Sequence, residues 1–231
     1  MEYLPNGYTL ELSPGSFPLS TDSMVLSHFV RLRKQETILD LGSGCGTLGL
    51  LLCARREDCT VTGIELTQNA HETALENIRR NGLTARMHSI CGDLRQVSEG
   101  FSPGQFSCCV SNPPYFSGGP ASQATPLARR EDCCTPAELF RAAARAVKFG
   151  GDFYLVHKPE RLADLIATAG CFQWEAKRLL LLRHREGSSI ALIFLQFRKG
   201  GKPGLTIEEA ALHNSAGEPT PFYQAVYHQI S

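Results

Sequence analysis

The motif Asn112-Pro113-Pro114-Tyr115 has the clearest chemistry in this sequence, and it directly follows an apolar run. Two prolines stop a strand and stiffen the turn after it. The turn therefore holds the Asn112 amide oxygen and the Pro113 carbonyl oxygen close together as hydrogen-bond acceptors, with the Tyr115 ring beside them. Two acceptors and a flat ring suit a planar group that carries an –NH₂. The alternative is a purely structural turn in which Tyr115 is a core residue.

A glycine-rich turn, Gly42-Ser-Gly44-Cys-Gly46, separates another apolar run from a helical pattern. Because glycine has no Cβ, the backbone N–H groups of such a turn can approach a ligand closely. The spacing also fits the dinucleotide fingerprint, so a nicotinamide-dependent dehydrogenase stays open as an alternative. Asp40 precedes the glycines, however, and a carboxylate at this point repels a pyrophosphate and favours a cationic ligand.

Two further acidic residues, Glu65 and Asp93, follow apolar runs farther along the chain. Glu65 can accept hydrogen bonds from both hydroxyls of a ribose, and Asp93 can accept one from the exocyclic amine of an adenine. The carboxyl ends of neighbouring parallel strands meet at one crevice, where open α/β sheets bind ligands. Each acid alone could be a surface residue. Together with Asp40 they predict a ligand site, which a non-catalytic RNA-binding module would not need.

Apolar runs alternate with helical patterns along most of the chain, which predicts an α/β fold with a parallel sheet. The predicted strands are Thr37–Leu41, Val61–Leu66, Arg86–Cys91, Phe106–Ser111 and Asp152–His157, followed by a hairpin of Ala176–Leu182 and Ser189–Phe197. The predicted helices are Thr21–Lys34, Leu48–Ala54, a segment from the N-cap Thr67 to Asn81-Gly82, Thr135–Lys148 and Glu160–Ala169.

The length and composition fit one globular domain. The chain has 231 residues, of which 42% are hydrophobic and 20% charged, so disordered and fibrous classes are excluded. We expect a single domain over residues 1–231, with an N-terminal extension and helix (1–35) and a C-terminal hairpin (174–202). Residues 116–135 are expected to form an active-site loop, because loops of this length in compact domains are commonly functional or disordered.

Charge is balanced overall, with 23 basic and 23 acidic side chains, but it is unevenly distributed. Between Lys177 and Lys202 there are seven basic residues and one acidic residue. We call residues 177–202 the basic strip. It is either a solvated hairpin edge or a surface that contacts phosphates. The second interpretation predicts RNA contacts from four arginines: Arg129, Arg130, Arg183 and Arg185.

The spacing of the cysteines indicates whether the protein binds a metal, and the N-terminal sequence indicates its cellular location. The nine cysteines include two adjacent pairs but no C-x-x-C spacing, so we expect free thiols, no disulfide framework and no metal. The N-terminus lacks the features of a signal peptide, and no apolar run approaches the roughly 18 residues of a membrane span. We therefore expect a cytoplasmic protein with no membrane partner, and a monomer is favoured.

The motifs in their order resemble those of class I S-adenosylmethionine-dependent amino-methyltransferases. The resemblance rests on four segments: Asp40–Gly46, Gly63-Ile-Glu65-Leu66, Cys91-Gly-Asp93-Leu94 and Asn112–Tyr115. It implies a Rossmann-like class I methyltransferase fold, with helices on both faces of a seven-stranded, mostly parallel sheet whose last strand, Ser189–Phe197, is antiparallel. It also implies S-adenosylmethionine as the cofactor and S-adenosylhomocysteine as its product.

More narrowly, the chain is similar to the bacterial tRNA adenine-N6 methyltransferases that modify the adenine just 3′ of the anticodon in a valine tRNA. This similarity spans nearly the whole length and includes Leu19–Leu26, Phe153–Arg161 and Pro221–Tyr227. It implies RNA as the partner, with tRNA favoured. Guanine-N2 methyltransferases of rRNA and glutamine-N5 methyltransferases of release factors share the wider motifs and remain alternatives. Relatives in those two groups typically carry an extra N-terminal domain, whereas about 35 residues precede the first predicted strand here.

The motifs and the resemblance together assign the site residues. The catalytic set is Asn112, Pro113 and Tyr115. The cofactor-binding set is Asp22, Asp40, Gly42, Gly44, Gly46, Glu65, Leu66, Asp93, Leu94 and Asn112.

Overall fold

An eight-stranded sheet forms the centre of the protein in this computed structural model, which describes residues 1–4, 7–14, 19–96, 100–113 and 134–228. A separate two-stranded sheet lies at the N-terminus. The strands are β1 (Glu2–Tyr3), β2 (Thr9–Leu10), β3 (Thr37–Leu41), β4 (Thr60–Glu65), β5 (Met87–Cys91), β6 (Phe106–Ser111), β7 (Val147–His157), β8 (Trp174–Arg185), β9 (Ile190–Lys199) and β10 (Thr206–His213).

Helices cover both faces of the large sheet, as the resemblance implies. They are α1 (Thr21–Phe29), α2 (Thr47–Arg55), α3 (Gln68–Arg80), α4 (Pro136–Ala146), α5 (Leu162–Gly170) and α6 (Pro221–His228). Buried residues of α1, α2, α3 and α6 belong to the core on one face, and those of α4 and α5 to the core on the other. Short 3-10 turns at Leu94–Gln96 and Pro159–Arg161 complete the described elements. None of the described helices is long and apolar enough to cross a membrane.

The large sheet has the order β10-β8-β9-β7-β6-β3-β4-β5. Strand β9 is antiparallel to β7 and β8, and the other neighbouring strands pair in parallel. The predicted antiparallel strand Ser189–Phe197 is therefore confirmed. Since β3, β4, β5 and β6 run in the same direction, their carboxyl ends lie at one edge, which we call the carboxyl edge.

The prediction of seven strands is wrong by one, because β10 adds an eighth at the edge of the sheet. The sequence Thr206-Ile-Glu-Glu-Ala-Ala-Leu-His213 is rich in residues that favour helices, so its pattern does not indicate a strand. The segment forms a strand because its backbone pairs with β8. Backbone register joins Glu208 to Leu180, and the Glu208 carboxylate accepts from Arg178 Nε at 3.0 Å and Nη2 at 3.1 Å.

Two predicted boundaries differ from the structure by five residues each. Helix α1 ends at Phe29, not at Lys34, because Val30 takes an extended conformation and Gln35 lies in the left-handed region at φ 54°. Strand β7 begins at Val147, five residues before the prediction, because α4 passes directly into it. Gly150, two residues after the predicted end of this helix at Lys148, lies within β7 at φ 76°, where the pairing with β6 contains a bulge.

The start of α4 follows the sequence signal closely. The Thr135 hydroxyl accepts from the Glu138 N–H, and the Glu138 carboxylate accepts from the Thr135 N–H at 2.7 Å. This reciprocal capping box, with Pro136 in the first turn, fixes where the helix begins.

Asn77, on α3, joins the N-terminal segment to the glycine turn. Its side chain is fully buried; Oδ1 accepts from Glu11 N–H at 2.8 Å, and Nδ2 donates to Glu11 O and Cys45 O at 2.9 Å each. One turn later Asn81 binds both backbone groups of Thr9 at 2.8 Å. These two amides dock residues 9–11 on α3, and Asn77 also supports the turn that contains Gly44 and Gly46.

Asn77→Ala should lower the free energy of unfolding by about 2–3 kcal/mol, because it leaves buried backbone groups without partners. For a chain of this length the melting temperature should fall by roughly 5–10 °C. Chemical and thermal denaturation followed by circular dichroism measure both quantities. The matched control is Asn69→Ala on the same helix, where the side chain is exposed and the expected change is within about 0.5 kcal/mol. Equal stability of the two variants would contradict this role of Asn77.

Candidate active site

The carboxyl edge brings together the residues that the sequence placed after separate strands. Asp40 lies near the end of β3, Glu65 ends β4, and Asn112 follows β6. Strand β3 pairs in parallel with both β4 and β6, with Asp40 in register with Gly63 and Val110. The three motifs that contain Asp40, Glu65 and Asn112 therefore lie together at the carboxyl edge, where the sequence predicted a ligand-binding crevice.

The glycine turn has the geometry that only glycine adopts easily. Gly42, Gly44 and Gly46 lie at φ 75°, 54° and 86°. The N–H groups of Gly42 and Ser43 donate to Ile64 O at 3.0 Å, which fastens the turn to β4. A Cβ on Gly42 or Gly44 would meet no atom within 4 Å, so open space lies beside both residues. A ligand can therefore approach the backbone at this point.

Asp40 is a buried carboxyl group without a hydrogen-bond partner in the described part of the chain. It is 1% exposed, and neither carboxylate oxygen has a hydrogen-bond partner among the described residues. Burial, together with the neighbouring Glu65 carboxylate, raises the pKa of Asp40 to about 8. A buried polar group normally has a partner. A carboxylate in this state is suited to a cationic ligand that supplies one.

Glu65 connects β4 to the glycine turn. Its Oε2 accepts from the Gly44 N–H at 2.9 Å, and its Oε1 accepts from the Thr67 N–H at 2.9 Å and the Thr67 hydroxyl at 2.8 Å. These bonds fix the orientation of the carboxylate. Each oxygen has two lone pairs, so Oε2 can accept a further hydrogen bond.

Asp93 is held by Arg95, a residue for which the sequence predicted no role. Arg95 Nε lies 2.9 Å from Oδ1 and 2.8 Å from Oδ2 of Asp93, and the Arg95 N–H donates to Oδ1 at 2.9 Å. The Arg95 guanidinium lowers the pKa of Asp93, which stays ionised. The i, i+2 spacing in Asp93-Leu94-Arg95 is the signal that could have indicated this pair.

Asn112 is held by its nitrogen. The Asn112 Nδ2 donates to Ser23 Oγ, on α1, at 3.1 Å. The preceding residue, Ser111, is fully buried, and its hydroxyl donates to Leu41 O at 2.7 Å. The next residue, Pro113, is also buried. The amide oxygen of Asn112 is therefore the end of the side chain that remains available to a substrate.

The other predicted cofactor residues lie around the same edge. Asp22 is in the first turn of α1, one residue before Ser23; burial raises its pKa, and the charges of Lys158 and His184 oppose that shift. Leu66 follows β4 and is 49% exposed, and Leu94 is half-buried in the 3-10 turn. Exposed apolar surface at the end of β4 suits the flat face of a nucleobase.

Several predicted residues fall outside the described part of the chain. These are Tyr115, Arg129, Arg130 and most of the predicted loop 116–135, of which the structure describes 134 and 135. Their predicted roles stay predictions.

The basic strip is less basic in three dimensions than in the sequence. Arg178 pairs with Glu208, Arg183 Nη2 lies 3.7 Å from Glu209 Oε2, and Arg198 Nε lies 2.9 Å from Asp152 Oδ1. Two of these acids come from β10, the strand that the prediction missed. Arg185 is exposed at the end of β8, on the carboxyl edge. Among the described residues, no group of three His, Cys, Asp or Glu side chains could hold a metal ion.

Comparison with protein families assigns the class. A family model described as the methyltransferase small domain matches residues 19–166, which include Asp22, the glycine turn, Glu65, Asp93 and Asn112. The chain belongs to this methyltransferase family, which confirms the class predicted from the motifs and S-adenosylmethionine as its cofactor.

Curated relatives are more specific. One from Tolumonas auensis (strain DSM 9187 / NBRC 110442 / TA 4), named a tRNA1(Val) (adenine(37)-N6)-methyltransferase, is 31% identical over 83% of this chain and 79% of the relative. A relative of the same name from Shewanella halifaxensis (strain HAW-EB4) is 29% identical over 74% of this chain and 70% of the relative. Among solved structures, a predicted O-methyltransferase from Agrobacterium tumefaciens has a TM-score of 0.76 and 24% identity, covering 91% of this chain and 96% of that one. This last similarity confirms the class I fold.

The residues present fit S-adenosylmethionine. Its methionine part carries a cationic amine and a sulfonium, and the unpartnered Asp40 carboxylate supplies the opposite charge. Gly42 and Gly44, which have open space beside them, lie between Asp40 and Glu65 in the sequence. The Gly44 N–H also donates to the Glu65 carboxylate, so this space is next to Glu65. An anionic pyrophosphate would face two carboxylates instead, so the dehydrogenase alternative is not supported.

Asp40 should release a proton when the cofactor binds. At pH 7 the raised pKa of about 8 keeps the ligand-free carboxyl mostly protonated, whereas a cationic ligand favours the ionised form. Affinity should therefore rise with pH until about pH 8. Because the folded-state pKa lies above the ordinary 3.8, ionisation opposes folding, and stability without ligand should decline as the pH rises from about 4 to about 8.

Calorimetric titration of S-adenosylmethionine in buffers of different ionisation enthalpy measures the released protons. Asp40→Asn should abolish this release and weaken binding by at least about tenfold. The stability of the ligand-free variant relative to wild type should rise between about pH 4 and about pH 8. Subtracting the Asp40→Asn result removes the contribution of the ligand's own amine. Equal proton release by the wild type and the variant would contradict the assignment.

Proposed function

We propose that this protein methylates the N6 atom of adenine 37 in a valine tRNA, with S-adenosylmethionine as methyl donor. The observation that carries the proposal is the Asn112 amide, whose nitrogen is engaged by Ser23 so that its oxygen faces away as an acceptor beside the cofactor residues. The names of the relatives support the substrate. A tRNA substrate implies a reaction in the cytoplasm.

The chain's own residues account for cofactor binding. Asp40 would hold the cationic methionine end, the turn Gly42–Gly46 would contact it through the backbone, and Glu65 Oε2 would accept from a ribose hydroxyl. Asp93 would accept from the adenine amine, with Leu66 and Leu94 beside the ring. S-adenosylmethionine supplies a methyl group on a positively charged sulfur, which is a strong electrophile.

The target nitrogen is a poor nucleophile, because its lone pair is delocalised into the adenine ring. Asn112 Oδ1 and the Pro113 carbonyl can accept the two N6 hydrogens, which favours a tetrahedral nitrogen with an exposed lone pair. The same two bonds aim the nitrogen for in-line transfer. The nitrogen loses its proton after the attack, so no general base is required beforehand. Tyr115, outside the described residues, would stack on the base once it leaves the loop of the RNA.

RNA contact on the carboxyl edge rests on Arg185. It is exposed at the end of β8 and near His184, whose charge acts on Asp22. Arg183 lies two residues before it and is partly neutralised by Glu209. The proposal therefore gives Arg185 the larger share of phosphate contact, with Arg129 and Arg130 as further contacts from the predicted loop.

A methylation assay tests the substrate. The wild-type protein is incubated with labelled S-adenosylmethionine and valine tRNA, the same tRNA with adenine 37 replaced by guanine, total rRNA, or a release factor. We expect N6-methyladenosine in the first tRNA and no label in the others. Label as N2-methylguanosine in rRNA, or on glutamine in the release factor, would instead establish one of the two alternative substrates.

Asn112→Ala should lower single-turnover methylation by about 10²–10³, because it removes a preorganised acceptor as positive charge develops on N6. Affinity for S-adenosylhomocysteine and the melting temperature should change much less. Tyr115→Phe keeps the ring and should retain most activity, whereas Tyr115→Ala should lose one to two decades of kcat/KM, consistent with roughly 1–3 kcal/mol of stacking. A folded Asn112→Ala protein that methylates at near the wild-type rate would rule out this mechanism.

Arg185→Ala should weaken tRNA binding and reduce the slope of log K against log salt by about 0.7–0.9, the value of one phosphate contact. Filter binding or anisotropy across a salt series measures both. Lys177→Ala is the control, because Lys177 lies at the opposite end of β8, where its Nζ donates to Lys202 O. The same slope for wild type and Arg185→Ala would make Arg185 an ordinary surface residue.

A further inference from the structure

The Asn112 amide has two ends that differ in chemistry, and the proposed reaction uses only one. The oxygen accepts a hydrogen bond, whereas the nitrogen can only donate. If the amide turned by 180°, the nitrogen would point its hydrogens at the target amine and repel it. The reaction therefore depends on whatever holds the nitrogen on the opposite side.

Ser23 is the residue in contact with that nitrogen. Asn112 Nδ2 donates to Ser23 Oγ at 3.1 Å, across 89 positions of sequence. Ser23 is 7% exposed, so water does not readily replace this bond.

The Ser23 hydroxyl is fixed in place by the helix that carries it. Its backbone N–H donates to the hydroxyl of the N-cap residue Ser20 at 3.4 Å. The neighbouring Thr21 is in contact with α6, through Tyr227 Oη at 3.3 Å from Thr21 Oγ1. The start of α1 is thus anchored at its cap and against α6.

The backbone that carries Asn112 is fixed independently. The Ser111 hydroxyl bonds Leu41 O at 2.7 Å and joins the end of β6 to the residue before the glycine turn. With both ends anchored, the bond between Ser23 and Asn112 sets the rotation of the amide and little else.

We propose that Ser23 is a positioning residue that holds Asn112 Nδ2 and so directs Asn112 Oδ1 to the target amine. This inference rests on the proposed function, in which Asn112 Oδ1 accepts from N6. Ser23 itself touches neither the substrate nor the reacting atoms. Its effect reaches the reaction only through Asn112.

Substitutions at Ser23 test the proposal through single-turnover rates with valine tRNA. Ser23→Ala and Ser23→Cys should each lower the rate about 3- to 10-fold, the effect of one hydrogen bond. Ser23→Thr keeps the hydroxyl and should restore the rate to within about threefold of wild type. Affinity for S-adenosylhomocysteine should stay within about twofold in all three. Ser27→Ala is the matched control, since Ser27 is a buried serine one turn later on α1.

A double-mutant cycle separates positioning from general destabilisation. In an Asn112→Ala background there is no amide to orient, so adding Ser23→Ala should cost no further rate. A further loss equal to that in the wild-type background would overturn the proposal. So would an unchanged rate for both Ser23→Ala and Ser23→Cys in folded protein, with melting temperature as the check on folding. A wild-type protein that forms no N6-methyladenosine in this tRNA would overturn the proposed function itself, and this inference with it.

Discussion

The parallel pairing of β3 with β4 on one side and β6 on the other is the constraint on which the site depends. Because β3 is hydrogen-bonded to both neighbours, the chain leaves all three strands at the same edge. Asp40, Glu65 and Asn112 meet there although up to 72 residues separate them in the sequence. Asp40, on the central strand β3, is 1% exposed, and its carboxyl oxygens have no hydrogen-bond partner among the described residues. Fold and ligand preference therefore have one cause.

The sequence predicted the residues whose role depends on local pattern. An acid after an apolar run, a glycine turn before a helix and two prolines after a strand each constrain their own neighbourhood, so the positions of Asp40, Gly44 and Asn112 at the carboxyl edge could be predicted without a structure. The capping box at Thr135 belongs to the same class. The seven predicted strands are all present in the large sheet, because most of them coincide with apolar runs.

What the sequence did not predict depends on partners far along the chain. Strand β10 has a helix-like composition and becomes a strand because β8 presents backbone groups and arginines to it. The contact between Ser23 and Asn112 joins two segments that share no local pattern. The strength of the basic strip was overestimated for the same reason, since the compensating acids on β10 follow the strip in sequence but lie beside it in space.

The Asn77 amide connects the N-terminal segment to the glycine turn. Its Oδ1 accepts from the Glu11 N–H, and its Nδ2 donates one hydrogen to Glu11 O and the other to Cys45 O. Because one buried side chain binds both segments, we expect the ordering of residues 9–11 and the stiffness of the glycine turn to be coupled. By reciprocity, a ligand that stiffens the turn also protects the N-terminal segment from proteolysis and hydrogen exchange. On this expectation, the protection of residues 9–11 would report whether the cofactor is bound.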